Sequence, residues 1–170
     1  KLRNDLGFDE ILSKLIISRK FNSTEVELIH NKLDISNPFI KKKDFQIGIE
    51  VLHKALENRD RILIIGDYDV DGCVSTSLLL KFIKLINKKA DFYIPDRFTD
   101  GYGASLNLIK KLTKKKPNLI IMVDCGSTSN EAIDYLNQKN IRSIIIDHHE
   151  INKPYPKSDV IINPKKKNYL

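Results

Sequence analysis

Three short motifs contain the residues of this chain that could do chemistry. They read Gly66-Asp67-Tyr68-Asp69-Val70-Asp71-Gly72, Val123-Asp124-Cys125-Gly126-Ser127 and Asp147-His148-His149-Glu150. Carboxylate oxygens and imidazole nitrogens are good ligands for hard divalent cations. So many carboxylates in one crevice would repel each other strongly without such cations. The motifs therefore predict a divalent metal centre, and a pair of ions there would suit in-line attack on phosphorus.

Each motif follows a short apolar run, so a sheet must position the three of them. Five such runs are predicted strands: RILIIG at 61–66, DFYIP at 91–95, NLIIMVD at 118–124, IRSIIID at 141–147 and DVIIN at 159–163. Helical segments separate the first four, and continuously apolar strands that alternate with helices indicate a parallel sheet covered on both faces. The carboxyl ends of parallel strands form one crevice, where we expect the motifs to meet.

The helices are predicted from apolar periodicity and from capping residues. The segment CVSTSLLLKFIKLINKK at 73–89 is apolar nearly all round, which predicts a buried helix. Ser105 is expected to cap the next helix, and Thr128 with Glu131 has the form of a capping box. Residues 1–60 contain no convincing strand and predict short helices, the last of them capped by Asp44, with a turn at 37–39. We therefore predict a helical N-terminal segment, 1–60, followed by an α/β domain, 61–170.

The composition is that of a globular protein. The 170 residues are 41% hydrophobic and 30% charged, and no apolar run approaches the roughly 20 residues that a membrane span needs, so we predict no membrane partner. Two cysteines, Cys73 and Cys125, are too few for a disulfide framework and indicate a reducing compartment. We interpret both as small apolar filler near the site. The net charge of +7 gives only weak support for a polyanionic partner, because lysine runs are typical of solvated helix ends and loops.

Two other metal-binding patterns fit the first motif less well. Asp67 to Gly72 matches the first six positions of an EF-hand loop, but the twelfth position is Leu78 instead of Glu, and the loop follows a strand. The same strand end matches the D-x-D-x-V motif of haloacid-dehalogenase-type phosphatases, but that interpretation leaves Asp71 and the histidine pair without a role. The histidines alone would suggest structural residues. Their place at a strand end, beside Asp147, favours a site.

Together the motifs resemble a known family. GDYDVDG, VDCGS and DHH, in that order, resemble motifs I, II and III of the DHH phosphoesterase superfamily. IIGDYDVDG, YIPDRFTDGYG, IMVDCGST and IIIDHHE closely resemble its RecJ single-strand-specific exonuclease branch. The resemblance implies a three-layer α/β/α fold with a parallel five-stranded sheet of order 2-1-3-4-5, preceded by the helical N-terminal segment. Residues 61–170 would be the DHH phosphoesterase domain, incomplete at its C-terminus because the family has a fourth motif and a second domain.

The resemblance also implies an activity and its residues. The activity is a 5′→3′ exonuclease on single-stranded DNA, in cytoplasmic DNA repair and recombination, dependent on two divalent ions, Mn²⁺ or Mg²⁺. The metal ligands would be Asp67, Asp69, Asp71, Asp124 and His148. His149 would act on the scissile phosphate as a catalytic residue, with Asp147 orienting the histidines.

A further segment would hold the DNA. The resemblance assigns this role to Arg97, Gly101, Tyr102 and Gly103. Arg97 could bind a phosphate, Tyr102 could stack on a base, and the glycines would let the backbone approach the strand. The alternative is that these residues form only a turn before Ser105.

Partners and rival functions follow from the same comparison of motifs. The implied partners are single-stranded DNA and, in a full-length enzyme, a single-strand-binding protein and a helicase. Two alternatives stay open: a DHH phosphoesterase on small nucleotides such as oligoribonucleotides or cyclic dinucleotides, and a catalytically silent DNA-binding scaffold. The small-nucleotide enzymes usually read H-x-x-P-D-x-D at motif I, and scaffolds have lost ligands. Cys125 stands where the family usually has Asn, which leaves any hydrogen bond from that side chain in doubt.

Overall fold

The structure, a computed structural model, describes residues 6–30 and 42–166. The chain divides into two compact units, Lys1–Pro38 and Phe39–Leu170. The described part of the first unit contains helices α1 (Glu10–Ser18) and α2 (Ser23–His30). Asp9 is the N-cap of α1, and its carboxylate accepts a hydrogen bond from the backbone N–H of Leu12 at 2.8 Å. The turn predicted at 37–39 lies outside the described residues.

The second unit is built on a parallel sheet. Its elements are α3 (Lys43–Glu57), β1 (Ile62–Ile65), α4 (Val70–Leu85), β2 (Asp91–Tyr93), α5 (Leu106–Leu112), a 3₁₀ turn (Thr113–Lys115), β3 (Leu119–Val123), α6 (Asn130–Gln138), β4 (Arg142–Ile146) and β5 (Val160–Ile162). All strand pairs are parallel, in the order β2-β1-β3-β4-β5, which confirms the predicted fold. Ile65 pairs with Met122 and Val123 with Ile146, so the ends of β1, β3 and β4 lie side by side.

The sheet side chains alternate between two cores. Leu63 and Ile65 pack on the side that holds α5 and α6, whereas Ile62 and Ile64 pack on the side that holds α3 and α4. Burial on both faces explains why β1, β3 and β5 are apolar at every position. Helix α3 precedes residue 61, yet it belongs to the same compact unit as the sheet.

Helix α4 is less buried than its sequence predicts. Val70, Leu78 and Leu85 are 76%, 63% and 78% exposed. The prediction of a buried helix is wrong because only one side of α4 can face the sheet, and that side contains Gly72 and Ile83. Among the described residues, no helix is both long and apolar enough to cross a membrane.

The predicted helix caps are confirmed at one helix of three. The Ser105 side chain accepts a hydrogen bond from the backbone N–H of Leu108 at 3.2 Å and caps α5. The N-cap of α6 is Ser129, and its side chain makes no capping hydrogen bond. The capping box predicted from Thr128 is therefore wrong, because the helix begins one residue later than that pattern requires. Asp44 lies inside the first turn of α3 and instead binds the Lys166 ammonium at 2.8 Å.

Candidate metal centre

The loop between β1 and α4 places the first motif at the carboxyl end of the sheet. Asp67 is 1% exposed, and its carboxylate accepts a hydrogen bond from the backbone N–H of Tyr68 at 2.7 Å. Asp69 is the N-cap of α4 and accepts from the backbone N–H of Gly72 at 3.0 Å. That hydrogen bond is the main cause of the lowered pKa of Asp69. Asp71 lies in the first helical turn and is exposed.

The second motif presents Asp124 from an unusual backbone conformation. Its φ of +59° lies in the left-handed region, which Asp tolerates better than most residues. Its backbone N–H donates to the Ile146 carbonyl at 2.8 Å and extends the pairing of β3 with β4. The carboxylate oxygen Oδ1 lies 3.0 Å from His148 Nε2, whereas Oδ2 is buried without a hydrogen-bond partner. Burial, followed by the charge of Asp69, raises the pKa of Asp124 to about 6.

The third motif forms around the carboxylate of Asp147. Its Oδ1 accepts hydrogen bonds from the backbone N–H groups of His148 (2.7 Å) and His149 (3.1 Å) and lies 2.8 Å from Nδ1 of the His149 ring. Burial by itself would raise the pKa of Asp147, but the hydrogen bonds from Ser127 and His149 lower it. The bond to Asp147 in turn raises the pKa of His149. This geometry suits the orienting role predicted for Asp147.

Two groups of potential metal ligands meet at Asp124. They are Asp67 with Asp69 and Asp124, and Asp124 with His148 and His149; within each group, the ligand atoms lie within 4.8 Å of one another. A cation would give the buried Oδ2 of Asp124 a partner and would relieve its repulsion with Asp69. The residues therefore fit divalent ions. Asp71 is in neither group and lines an adjoining cavity of about 410 Å³ together with Asp124 and His148.

The loop after β2 brings the predicted DNA-contacting residues beside these groups. The guanidinium carbon of Arg97 lies 5.6 Å from the centre of the Tyr68 ring. The Tyr102 hydroxyl is 3.2 Å from Nε2 of His149. Burial, followed by the charges of nearby aspartates, raises the pKa of Tyr102 to about 12. Gly101 and Gly103 have φ values of +79° and +63°, a region that glycine enters without strain.

This loop is held by a network of its own. The carboxylate of Asp100 accepts hydrogen bonds from the Tyr93 hydroxyl (2.6 Å), the Lys111 ammonium (3.1 Å) and the backbone N–H of Asp96 (3.1 Å). Asp96 in turn accepts from the backbone N–H of Phe98 at 2.9 Å. These hydrogen bonds attach the loop, which contains Arg97 and Tyr102, to β2 and α5.

Two buried polar residues near the third motif were not predicted, and the expected burial of one cysteine is wrong. Ser127 and Asn163 are 3% and 0% exposed and are joined by a hydrogen bond behind the third motif. The available signal was that Asn163 directly follows β5, at the same edge of the sheet as the other motifs. Cys125 is buried in the core, as expected of apolar filler, and burial raises the pKa of its thiol. Cys73 is exposed, so the filler interpretation is wrong there.

Comparison with known proteins identifies the family. The model of the DHH family, N-terminal domain, matches residues 61–169. The chain belongs to the DHH family. The DHH match begins at the residue before β1 and includes all three motifs. All of the candidate ligands therefore lie within the matched residues.

Curated relatives of this DHH-family chain are named single-stranded-DNA-specific exonuclease RecJ. The chain is 31% identical to that of Bacillus subtilis over 167 residues, which cover 96% of this chain and 21% of the relative. It is 30% identical to that of Escherichia coli over 128 residues, 75% of this chain and 22% of the relative. The chain therefore spans about a fifth of the length of the curated relatives it matches.

Solved structures of RecJ have the same fold. An exonuclease RecJ bound to manganese is similar with a TM-score of 0.72 and 26% identity, over 79% of this chain and 34% of that one. RecJ of Thermus thermophilus in complex with Mn²⁺ is similar in fold with a TM-score of 0.68 and 22% identity, over 96% of this chain and 22% of that one.

Proposed function

We propose that this chain carries the metal centre of a 5′→3′ exonuclease that hydrolyses single-stranded DNA in repair and recombination, with residues 61–170 as its DHH phosphoesterase domain. The observation that carries the proposal is Asp124, whose buried and unpartnered oxygen lies where two groups of ligands meet. The similarity to RecJ exonucleases over 96% of the chain supports the choice of substrate. The manganese in a structurally similar RecJ supports Mn²⁺ or Mg²⁺ as the cofactor.

The ligands that would hold two ions are those predicted from the motifs. Asp67, Asp69, Asp124 and His148 lie in the two groups of atoms, and Asp71 borders the adjoining cavity. Bound divalent ions supply activation of water and stabilisation of charge on the phosphate. The carboxylates would hold and orient these ions, and their own charges would be neutralised in return.

His149 is the group that would act on the phosphate directly. Its Nδ1 is held by Asp147 at 2.8 Å, which leaves Nε2 on the side of the crevice where it meets the Tyr102 hydroxyl at 3.2 Å. The raised pKa of His149 favours its protonated form, in which Nε2 donates a hydrogen bond. That proton can stabilise the charge that develops on phosphate oxygens.

The substrate would enter past the loop after β2. The loop places Arg97 against Tyr68 and Tyr102 against His149. A guanidinium can bind a phosphate while an aromatic ring stacks on a base. Gly101 and Gly103 would let the strand lie close to the loop backbone. We therefore assign all four residues to DNA binding.

The decisive experiment compares substrates with the full-length protein. We expect Mn²⁺-dependent release of nucleotides from the 5′ end of long single-stranded DNA and little action on duplex DNA. Faster hydrolysis of dinucleotides than of long DNA would favour the small-nucleotide phosphoesterase instead. DNA binding without hydrolysis at any Mn²⁺ or Mg²⁺ concentration would favour the silent scaffold.

Metal affinity is expected to depend on pH through Asp124. The pKa of Asp124 in the metal-free fold, about 6, lies above its ordinary value of 3.8. The fold therefore favours the protonated carboxyl. The metal-free protein has the full stability from this group below about pH 3.8 and loses it as the pH rises through about 6. Metal binding needs the ionised carboxylate. Mn²⁺ affinity should therefore fall at least about tenfold for each pH unit below that pKa and flatten above it. Titration of Mn²⁺ followed by electron paramagnetic resonance measures this, and an affinity independent of pH would contradict it.

Arg97→Ala is expected to weaken the binding of single-stranded DNA and to leave Mn²⁺ affinity unchanged. Loss of one phosphate contact should reduce the slope of log affinity against log salt by about 0.7. Arg61→Ala is the matched control, since Arg61 is exposed at the amino end of β1, at the opposite edge of the sheet. Equal salt slopes for both variants would indicate that Arg97 does not contact the DNA and belongs only to a turn. Fluorescence anisotropy at several salt concentrations gives the slopes.

A cytoplasmic location is also proposed, on the strength of the DNA substrate and the two free cysteines. The single-strand-binding protein and the helicase implied by the resemblance stay predictions for the full-length protein.

A further inference from the structure

A chain of buried hydrogen bonds lies behind His149 and starts at Asn163. The amide nitrogen of Asn163 donates to the Ser127 hydroxyl at 2.7 Å and to the backbone carbonyl of His149 at 2.9 Å. Its amide oxygen accepts from the backbone N–H of Lys165 at 2.8 Å. Asn163 is completely buried. Its side chain therefore joins the loops that follow β3, β4 and β5.

The orientation of this amide is determined by its partners. A backbone carbonyl can only accept and a backbone N–H can only donate, so the nitrogen and oxygen of Asn163 cannot be exchanged. Both N–H groups are used, and the oxygen has a partner. A buried amide satisfied in this way holds one position, because any other position would leave polar groups unpaired at a cost of about 1–3 kcal/mol each.

Ser127 extends the constraint from Asn163 to Asp147. Because its hydroxyl oxygen accepts from Asn163, its own hydrogen is available to another acceptor, and hydrogen bonding from Ser127 lowers the pKa of Asp147. The backbone N–H of Ser127 also donates to Oδ2 of Asp147 at 3.0 Å. The other carboxylate oxygen, Oδ1, lies 2.8 Å from Nδ1 of His149. The ring is thus held at its Nδ1 and its backbone carbonyl by one connected network.

We propose that Asn163 and Ser127 are positioning residues that hold the His149 ring in place with a hydrogen on Nδ1, in its neutral and in its protonated form. A carboxylate surrounded by donors can only accept, so Nδ1 must carry the hydrogen and Nε2 faces the crevice. The consequence for hydrolysis rests on the proposed function, whereas the tautomer is a property of this chain by itself. Both residues are buried, so both act through Asp147 and His149.

The test uses Ser127→Ala, Ser127→Thr and Asn163→Ala. The matched control is Asn137→Ala, because Asn137 donates its amide to the Lys157 carbonyl at 2.9 Å at an exposed position of α6. In the metal-free chain, at a pH high enough to make the His149 ring neutral, long-range ¹H–¹⁵N NMR reports which ring nitrogen carries the proton. In the full-length protein, the kcat and KM of Mn²⁺-dependent hydrolysis of 5′-ended single-stranded DNA are measured.

We expect Ser127→Ala and Asn163→Ala to lower kcat about ten- to hundredfold, with KM changed less than about twofold. Both should also shift His149 away from the Nδ1–H form. Ser127→Thr keeps the hydroxyl and should restore both readouts, and Asn137→Ala should change neither. The double variant should be no slower than Asn163→Ala, because both changes break the same chain.

A lower melting temperature with unchanged kcat and an unchanged tautomer would overturn the proposal and assign the two residues to folding alone. If Asn163→Ala does not fold, Ser127→Ala decides, because it removes one oxygen atom and keeps the backbone. Absence of hydrolysis by the unmodified full-length protein would contradict the proposed function, while the NMR measurement would still confirm or overturn the positioning of His149.

Discussion

Asp124→Asn is expected to abolish Mn²⁺ binding and to leave the metal-free protein at least as stable as before. Asp124 is shared by both ligand groups, so one substitution weakens the binding of both ions. Asn tolerates the left-handed conformation of this position, φ +59°, which Ala would strain. In the metal-free protein, the change removes a buried charge that faces Asp69 and should keep or raise the melting temperature. Hydrolysis by the full-length protein should fall by more than about a hundredfold. This loss exceeds the roughly ten- to hundredfold loss that is typical when a residue that only supports a metal ligand is replaced.

The control for this prediction is Asp134→Asn. Asp134 lies exposed on α6, outside both ligand groups, and its substitution removes the same charge from the surface. Paramagnetic resonance titration measures Mn²⁺ binding, and calorimetry in chelator measures the metal-free melting temperature. A melting temperature several degrees lower for Asp124→Asn, with normal hydrolysis in the protein that stays folded, would show that Asp124 is a structural residue.

The sheet could be predicted because fully buried parallel strands have a distinctive sequence. The five residues Leu119–Val123 are all apolar and all buried, and the next residue in the chain is the candidate metal ligand Asp124. The order of the strands was implied by the family resemblance. It could not be predicted from the strand sequences, because the sequence of an apolar strand does not specify which strand it pairs with. The exposed apolar side of α4 could not be foreseen either, because the sequence does not state which faces are covered.

The sequence indicated which residues gather at the candidate site, but it did not indicate all of the contacts that they make there. The family resemblance implied that Asp71 is a metal ligand together with Asp67 and Asp69. Helix α4 already begins at Val70, and Asp71 is in neither group of ligand atoms. The bond between Tyr102 and His149 joins residues 47 positions apart, so no local pattern could indicate it.

Gly72→Ala is expected to destabilise the protein although it improves the helix propensity of α4. A Cβ at Gly72 would overlap the backbone N and O of Asp67 and would lie 2.6 Å from its Cα. A backbone cannot move aside as a side-chain tip can, so the first turn of α4 must shift away from the loop. Overpacking of this kind costs about 1–3 kcal/mol, which should lower the melting temperature by about 2–12 °C at this chain length. Since Asp69 caps the same turn through Gly72, Mn²⁺ affinity should fall as well.

Gly48→Ala is the matched control for this prediction, because Gly48 also lies inside a helix, α3. A Cβ there would lie 3.1 Å from Cδ1 of Ile162 and 3.6 Å from Cγ1 of Val160, and both are the ends of side chains that can adjust. The gain in helix propensity, about 1 kcal/mol, should offset this crowding, so the melting temperature should change little and Mn²⁺ affinity should not change. Thermal unfolding and Mn²⁺ titration of the two variants side by side give the comparison. Equal stabilities for Gly72→Ala and Gly48→Ala would mean that α4 can move without disturbing the loop, and the tight contact between Gly72 and Asp67 would then not be what positions the first motif.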